Sequence, residues 1–170
     1  MSRDDWIAHG SRVLAQNGVA ALKAEPLARQ LGVSRGSFYW HFQDIQAFHR
    51  AVLEHWRARS TLQVIRRIEA RRADRLATLM GEAFEASWEL ERAVRAWASQ
   101  ATWVAEEVAQ VDEVRLTFLE QLLLSEGLSA STARARALLL YWAALGQMLT
   151  PGMRLKRGAV SKLAQMLLHR

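Results

Sequence analysis

Five ring-bearing side chains, Phe38, Tyr39, Trp40, His41 and Phe42, follow one another in the stretch LGVSRGSFYWHF at residues 31–42. Groups of these types suit nucleic-acid recognition. An arginine forks onto guanine, hydroxyl and aromatic groups meet phosphates and thymine methyls, and small residues let a backbone approach a groove. On a helix Phe38 and Phe42 stand four residues apart and share a face, so both rings are expected in a core. Gly36, Ser37, Tyr39 and Trp40 then point away from it, with Arg35 at the exposed tip.

Other chemistry finds no support in the residues. His41, His49 and His55 have no carboxylate or second histidine at the spacing of a helical metal site, and cysteine is absent, so no metal is expected. No Ser/His/Asp set in a nucleophile-elbow context, phosphate loop or dinucleotide fingerprint occurs, so neither an enzyme nor a cofactor is expected. Without cysteine there is no disulfide framework, which fits a reducing cytoplasm. The start MSRDDWIAHG is charged and unlike a signal peptide. The run ALLLYWAALGQML at 137–149 is shorter than the roughly 17 to 25 residues of a membrane-spanning helix and contains Gln147. A buried soluble helix and no membrane partner are expected.

A net charge of +6 and a pI near 10.7 favour a polyanionic partner. The spaced arginines Arg66, Arg67, Arg71, Arg72 and Arg75 are better read as a solvated helix face than as a second binding patch.

The elements that would position the aromatic stretch are all helical. Only two prolines occur, and strand-like alternation is nearly absent. Ser2 and Asp5 form a capping box for a first helix that buries Trp6, Ile7, Val13 and Leu14 and stops at Asn17-Gly18. A second helix starts at Pro26 and buries Leu27 and Leu31. Gly32 turns the chain, Val33 plugs the corner, and the Ser34 hydroxyl is placed to cap a third helix. Two short helices so joined make a helix-turn-helix. Beyond it the pattern predicts helices from Asp44 to about Ser60, then over 62–72, 74–99, 102–126, 131–149 and 158–169, with breaks at EGLSAS and TPGMRLKRG.

The stretches SRVLAQNGVAALKAEP and LARQLGVSRGSFYWHF together resemble the DNA-binding module of TetR-family (tetracycline-repressor-type) transcriptional regulators over about residues 3–55. The resemblance implies an all-α chain: an N-terminal three-helix helix-turn-helix domain, 1–43, and a C-terminal helical bundle, 44–170, for effector binding and dimerisation. It also implies a cytoplasmic homodimer that usually represses from a double-stranded DNA operator until a small molecule releases it. By position, Tyr39 and His41 are similar to the family's phosphate-contacting pair, Ser37 to a hydroxyl near the backbone, and Arg35, Gly36 and Trp40 to positions facing base edges. Lys23 and Ser34 complete the expected DNA-contact set. Ile45 departs from the pattern, since the family commonly has a phosphate-contacting lysine there. A helical protein–protein interaction module, with the aromatic cluster docked on a partner, is the alternative reading.

Seven tryptophans are present. Trp88, Trp97, Trp103 and Trp142 lie beside Met80, Phe84 and Phe118 in the C-terminal region, with Gln100 as a polar handle. Such apolar and aromatic groups line pockets for a small apolar or aromatic effector, and they equally fill cores. The run at 137–149 and the stripe Val160, Leu163, Met166 and Leu167 resemble the family's dimer-forming pair, which would set two recognition helices about 34 to 36 Å apart.

Overall fold

The computed structural model describes residues 1–85, 87–150, 152–153 and 157–168. The helices are α1 (Arg3–Asn17), α2 (Ala24–Gln30), α3 (Arg35–His41), α4 (Ile45–Arg57), α5 (Gln63–Glu69), α6 (Arg75–Glu85), α7 (Glu89–Ala98), α8 (Thr102–Ser125), α9 (Ala130–Leu149) and α10 (Arg157–Leu168). A 3-10 turn occupies Val19–Ala21 and a π-helical turn Ala58–Leu62. No strand occurs among the described residues. The all-α class read from the sequence is thus the observed one. The chain divides into two compact units.

The first unit comprises Met1–Ser60 and Trp88–Ala109. The capping box forms: the Ser2 hydroxyl accepts from the Asp5 N–H at 3.1 Å, and the Asp5 carboxylate accepts from the Ser2 N–H at 2.7 Å. Those bonds favour the charged carboxylate and draw Asp5 below its ordinary pKa, the Ser2 backbone N–H contributing most. Gly18, at φ 74°, closes α1 by donating its N–H to the Leu14 carbonyl at 2.9 Å. α1 packs on α4 and α7, and α2 on α3. Gly10 permits the α1–α4 approach, because a methyl group there would run into the Phe48 ring and come within 3.1 Å of Val52 Cγ2. Between α4 and α7 the Trp56 Nε1–H donates to the buried Glu91 carboxylate at 2.9 Å, and Arg95 pairs with the same carboxylate.

The second unit comprises Thr61–Ser87 and Gln110–Arg170. α6 packs on α5, α9 and α10. Ile68, Phe118 and Leu122 form one buried cluster, joined by Val64, Ile65 and Leu79. The Gln147 amide donates to the Phe84 carbonyl at 2.8 Å and satisfies the end of α6. Tyr141 donates its hydroxyl proton to Asp112 at 2.6 Å, and burial pushes the phenol up to about 12. Gln147, expected to lie in an apolar helix, is buried there, yet α9 leaves Leu139, Trp142 and Leu149 exposed.

Several boundaries differ from the sequence reading. α2 starts at Ala24, so Pro26 sits third in the first turn, where its missing N–H still costs no intrahelical bond. Leu31 and Val33 are only partly buried. Ser34 flanks α3 in extended conformation but its hydroxyl makes no capping bond; the Ser34 carbonyl accepts the Ser37 N–H at 3.0 Å instead. The helix expected over 74–99 is broken between α6 and α7. The two pieces belong to different units, and no glycine or proline between Phe84 and Glu89 announces the break. Ala86, residues 151 and 154–156 of the TPGMRLKRG break, and His169 at the expected end of the last helix lie outside the described residues.

Candidate nucleic-acid interface

α3 is too short to hide more than one face, and the rings divide accordingly. Phe38 is 0% exposed and meets Trp6, Phe42 and Phe48 at ring separations of 5.3, 5.2 and 5.3 Å. The three contacts pin α3 to α1 and α4. With Phe38 and Phe42 turned inward, Tyr39 is 45% and Trp40 86% exposed. Gly36 is exposed, and a side chain there would meet nothing closer than the Ser34 hydroxyl at 3.6 Å. Ser34 and Arg35 are exposed, and Ser37 is half-buried. His41 is half-buried and its Nε2 lies 3.1 Å from the Met1 carbonyl, which requires the Nε2–H tautomer for a bond.

Arg35 folds back along α3. It donates an Nη2–H to the Tyr39 hydroxyl oxygen at 3.1 Å, and its guanidinium carbon stands 5.3 Å from the centre of the phenol ring. The bond to Tyr39 raises the Arg35 pKa, so the group stays a cation. Beside this pair lies a hollow of about 520 Å³, lined by Lys23, Glu25, Arg29, Arg35, Tyr39 and Ile45 among others. Of the expected DNA-contact set, Lys23, Arg35 and Tyr39 therefore share one hollow. Arg29 and Glu25 were not singled out from the sequence. The available signal was their i, i+4 spacing, which puts both on one face of α2. The surface combines donors and cations suited to phosphate oxygens with an exposed indole suited to a base edge.

The aromatic residues of the C-terminal region are distributed over both units. In the first, Trp97 is buried with its ring 5.3 Å from both His49 and Trp103, and Trp103 is partly exposed. Trp88 is half-buried, and its indole N–H is buried without a hydrogen-bond partner. Gln100 is exposed and donates its amide to the Ala96 carbonyl at 3.4 Å. In the second, Met80, Phe84 and Phe118 are core residues, while Trp142 is exposed. Among the described residues no group of His, Asp or Glu could hold a metal ion, and no helix is long and apolar enough to cross a membrane.

Residues 7–52 match the family described as bacterial regulatory proteins, tetR family. No curated protein sequence matches the chain. Among solved structures, a TetR-family member from Streptomyces coelicolor A3, SCO1917, is 22% identical with a TM-score of 0.70, covering 100% of both chains. NemR of E. coli in its reduced form is 19% identical with a TM-score of 0.74, covering 98% of this chain and 93% of that one. A TetR-family transcriptional regulator from Rhodococcus sp. is 16% identical with a TM-score of 0.70, covering 98% and 96%. Residues 7–52 thus match the DNA-binding module of the TetR family of transcriptional regulators, and the chain as a whole shares its all-helical fold with solved structures of that family.

Proposed function

We propose that this DNA-binding regulator works as a cytoplasmic homodimeric repressor, holding a pseudo-palindromic operator until a small apolar or aromatic effector releases it. Residues 1–43 bind DNA and residues 44–170 provide effector binding and dimerisation. The observation that carries the proposal is the division of rings on α3, with Phe38 and Phe42 in the core and Tyr39 and Trp40 outside. A helix held by two phenyl rings and offering an indole, a phenol and small residues outward has the form of a major-groove reader. Trp40 and Gly36 face the bases, Ser37 lies near the DNA backbone, and Tyr39, His41 and Lys23 meet the phosphates.

Dimerisation is supported by α9, whose exposed Leu139, Trp142 and Leu149 repeat at three and seven residues along one stripe, and by the exposed Met166 of α10. An apolar stripe of this kind on an isolated chain suits a second copy, which would pack as a four-helix interface. Two α3 helices would then reach successive major grooves, about 34 to 36 Å apart. An effector acts by favouring a dimer with wrongly spaced reading heads, and it must separate the two states by about 1 to 3 kcal/mol to regulate.

Selection of bound duplexes from a random pool, with and without candidate effectors, tests the proposal. An inverted repeat with half-sites one helical turn apart is expected, and a pool that yields no such repeat counts against it. Binding should weaken steeply with salt, which apolar docking to a protein partner would not.

A further inference from the structure

We infer that the hollow lined by α2, α3 and the first residue of α4 clamps one DNA backbone phosphate, with Arg35 and Tyr39 gripping it as a pair and Arg35 reading no base. The inference rests on the DNA binding proposed above and assigns the chemistry of one part of that surface. Its first support is the posture of Arg35. A guanidinium that reads guanine must extend from its helix with two coplanar N–H groups aimed at one base edge. Arg35 instead lies against the Tyr39 ring and spends one N–H on the phenol oxygen. Because that oxygen accepts from arginine, the hydroxyl proton is left to donate outward. The remaining guanidinium N–H groups and the phenol O–H then converge as donors, a match for a phosphate with only acceptor oxygens.

The second support is the company they keep. Lys23 and Arg29 line the same hollow, against the single carboxylate of Glu25. Three cations facing one anion leave a net excess of positive charge, which favours one phosphate and is only partly offset by it. The geometry also lowers the cost of binding, since Arg35 is ordered against Tyr39 before any DNA arrives. Glu25 opposes the phosphate, and the sign of its removal therefore tests the clamp independently of Arg35.

The test uses the full chain, a duplex recovered by selection and a scrambled duplex of equal length, with affinity measured over a potassium chloride series. Arg35→Ala should weaken both duplexes by the same factor, about tenfold. Its salt slope should become shallower by about 0.9. Tyr39→Phe should weaken both with the slope unchanged, because no charge is lost, and Glu25→Gln should tighten both. The three side chains changed are exposed, so unfolding midpoints should stay at the wild-type value as a control. Relaxed preference at one base pair in Arg35→Ala with an unchanged slope would overturn the clamp alone, as would weaker binding by Glu25→Gln. Absence of binding by the wild type to either duplex would overturn the DNA reading along with it.

Discussion

Phe38 and Trp40 sit two positions apart on α3, and truncating each should have opposite consequences. Phe38→Ala removes a ring packed on Trp6, Phe42 and Phe48, and is expected to cost about 3 to 5 kcal/mol in denaturant unfolding. Trp40→Ala should leave stability within about 0.5 kcal/mol, because the indole is almost wholly exposed, yet it should abolish preference for the selected operator. Tyr141 allows a pH test. Its phenol is raised from an ordinary 10.0 to about 12, so the neutral form is favoured in the folded chain. That contribution is fully present below pH 10 and is lost as pH rises through about 12. Urea midpoints followed over that range should fall more steeply for the wild type than for Tyr141→Phe. The i, i+4 spacing of Phe38 and Phe42 made their burial legible in the sequence. The Arg35–Tyr39 bond was not legible, because the same spacing permits either an inward-folded or an extended arginine.

The ends and crossings of helices give two further expectations. Asp44 caps α4 by accepting the Ala47 N–H at 2.6 Å, whereas the Ser34 hydroxyl makes no capping bond to α3. Asp44→Ala should therefore cost about 1 kcal/mol, and Ser34→Ala less than about 0.5 kcal/mol, in thermal unfolding. Gly10→Ala brings a methyl group onto the Phe48 ring, and forcing α1 from α4 should cost about 1 to 3 kcal/mol. Restoration of part of that loss by a smaller residue at position 48 would tie the cost to this contact. Capping boxes and glycine stops are short-range, so α1 and the turn at Gly32 were readable from a few residues. The break between α6 and α7 was hidden, because no glycine or proline marks it and only the packing of the two pieces into different units reveals it.

In the proposed dimer, assembly governs whether the surface on α3 can regulate, since a single reading head would grip too few phosphates. Leu139 and Trp142, 61% and 63% exposed, are the residues through which a second copy is proposed to pack. Trp142→Glu should turn the dimer into a monomer by sedimentation, with little change in the helical signal, and weaken operator binding by at least about a hundredfold. Retention of a dimer by that variant would place the interface elsewhere. What could be read along the chain was whatever neighbouring residues decide: the all-helical class, the helix-turn-helix, and which rings of 38–42 point inward. These follow from backbone periodicity, capping hydroxyls and glycine conformations, each spanning a few residues. The packed chain settled what depends on distant partners: the fold-back of Arg35 beside Lys23 and Arg29, the placing of Trp88, Trp97 and Trp103 in one unit and of an exposed Trp142 in the other, and the bare stripe on α9. Hydrophobicity marks a side chain for burial, but which surface covers it depends on contacts between residues far apart in sequence, and no local pattern records those.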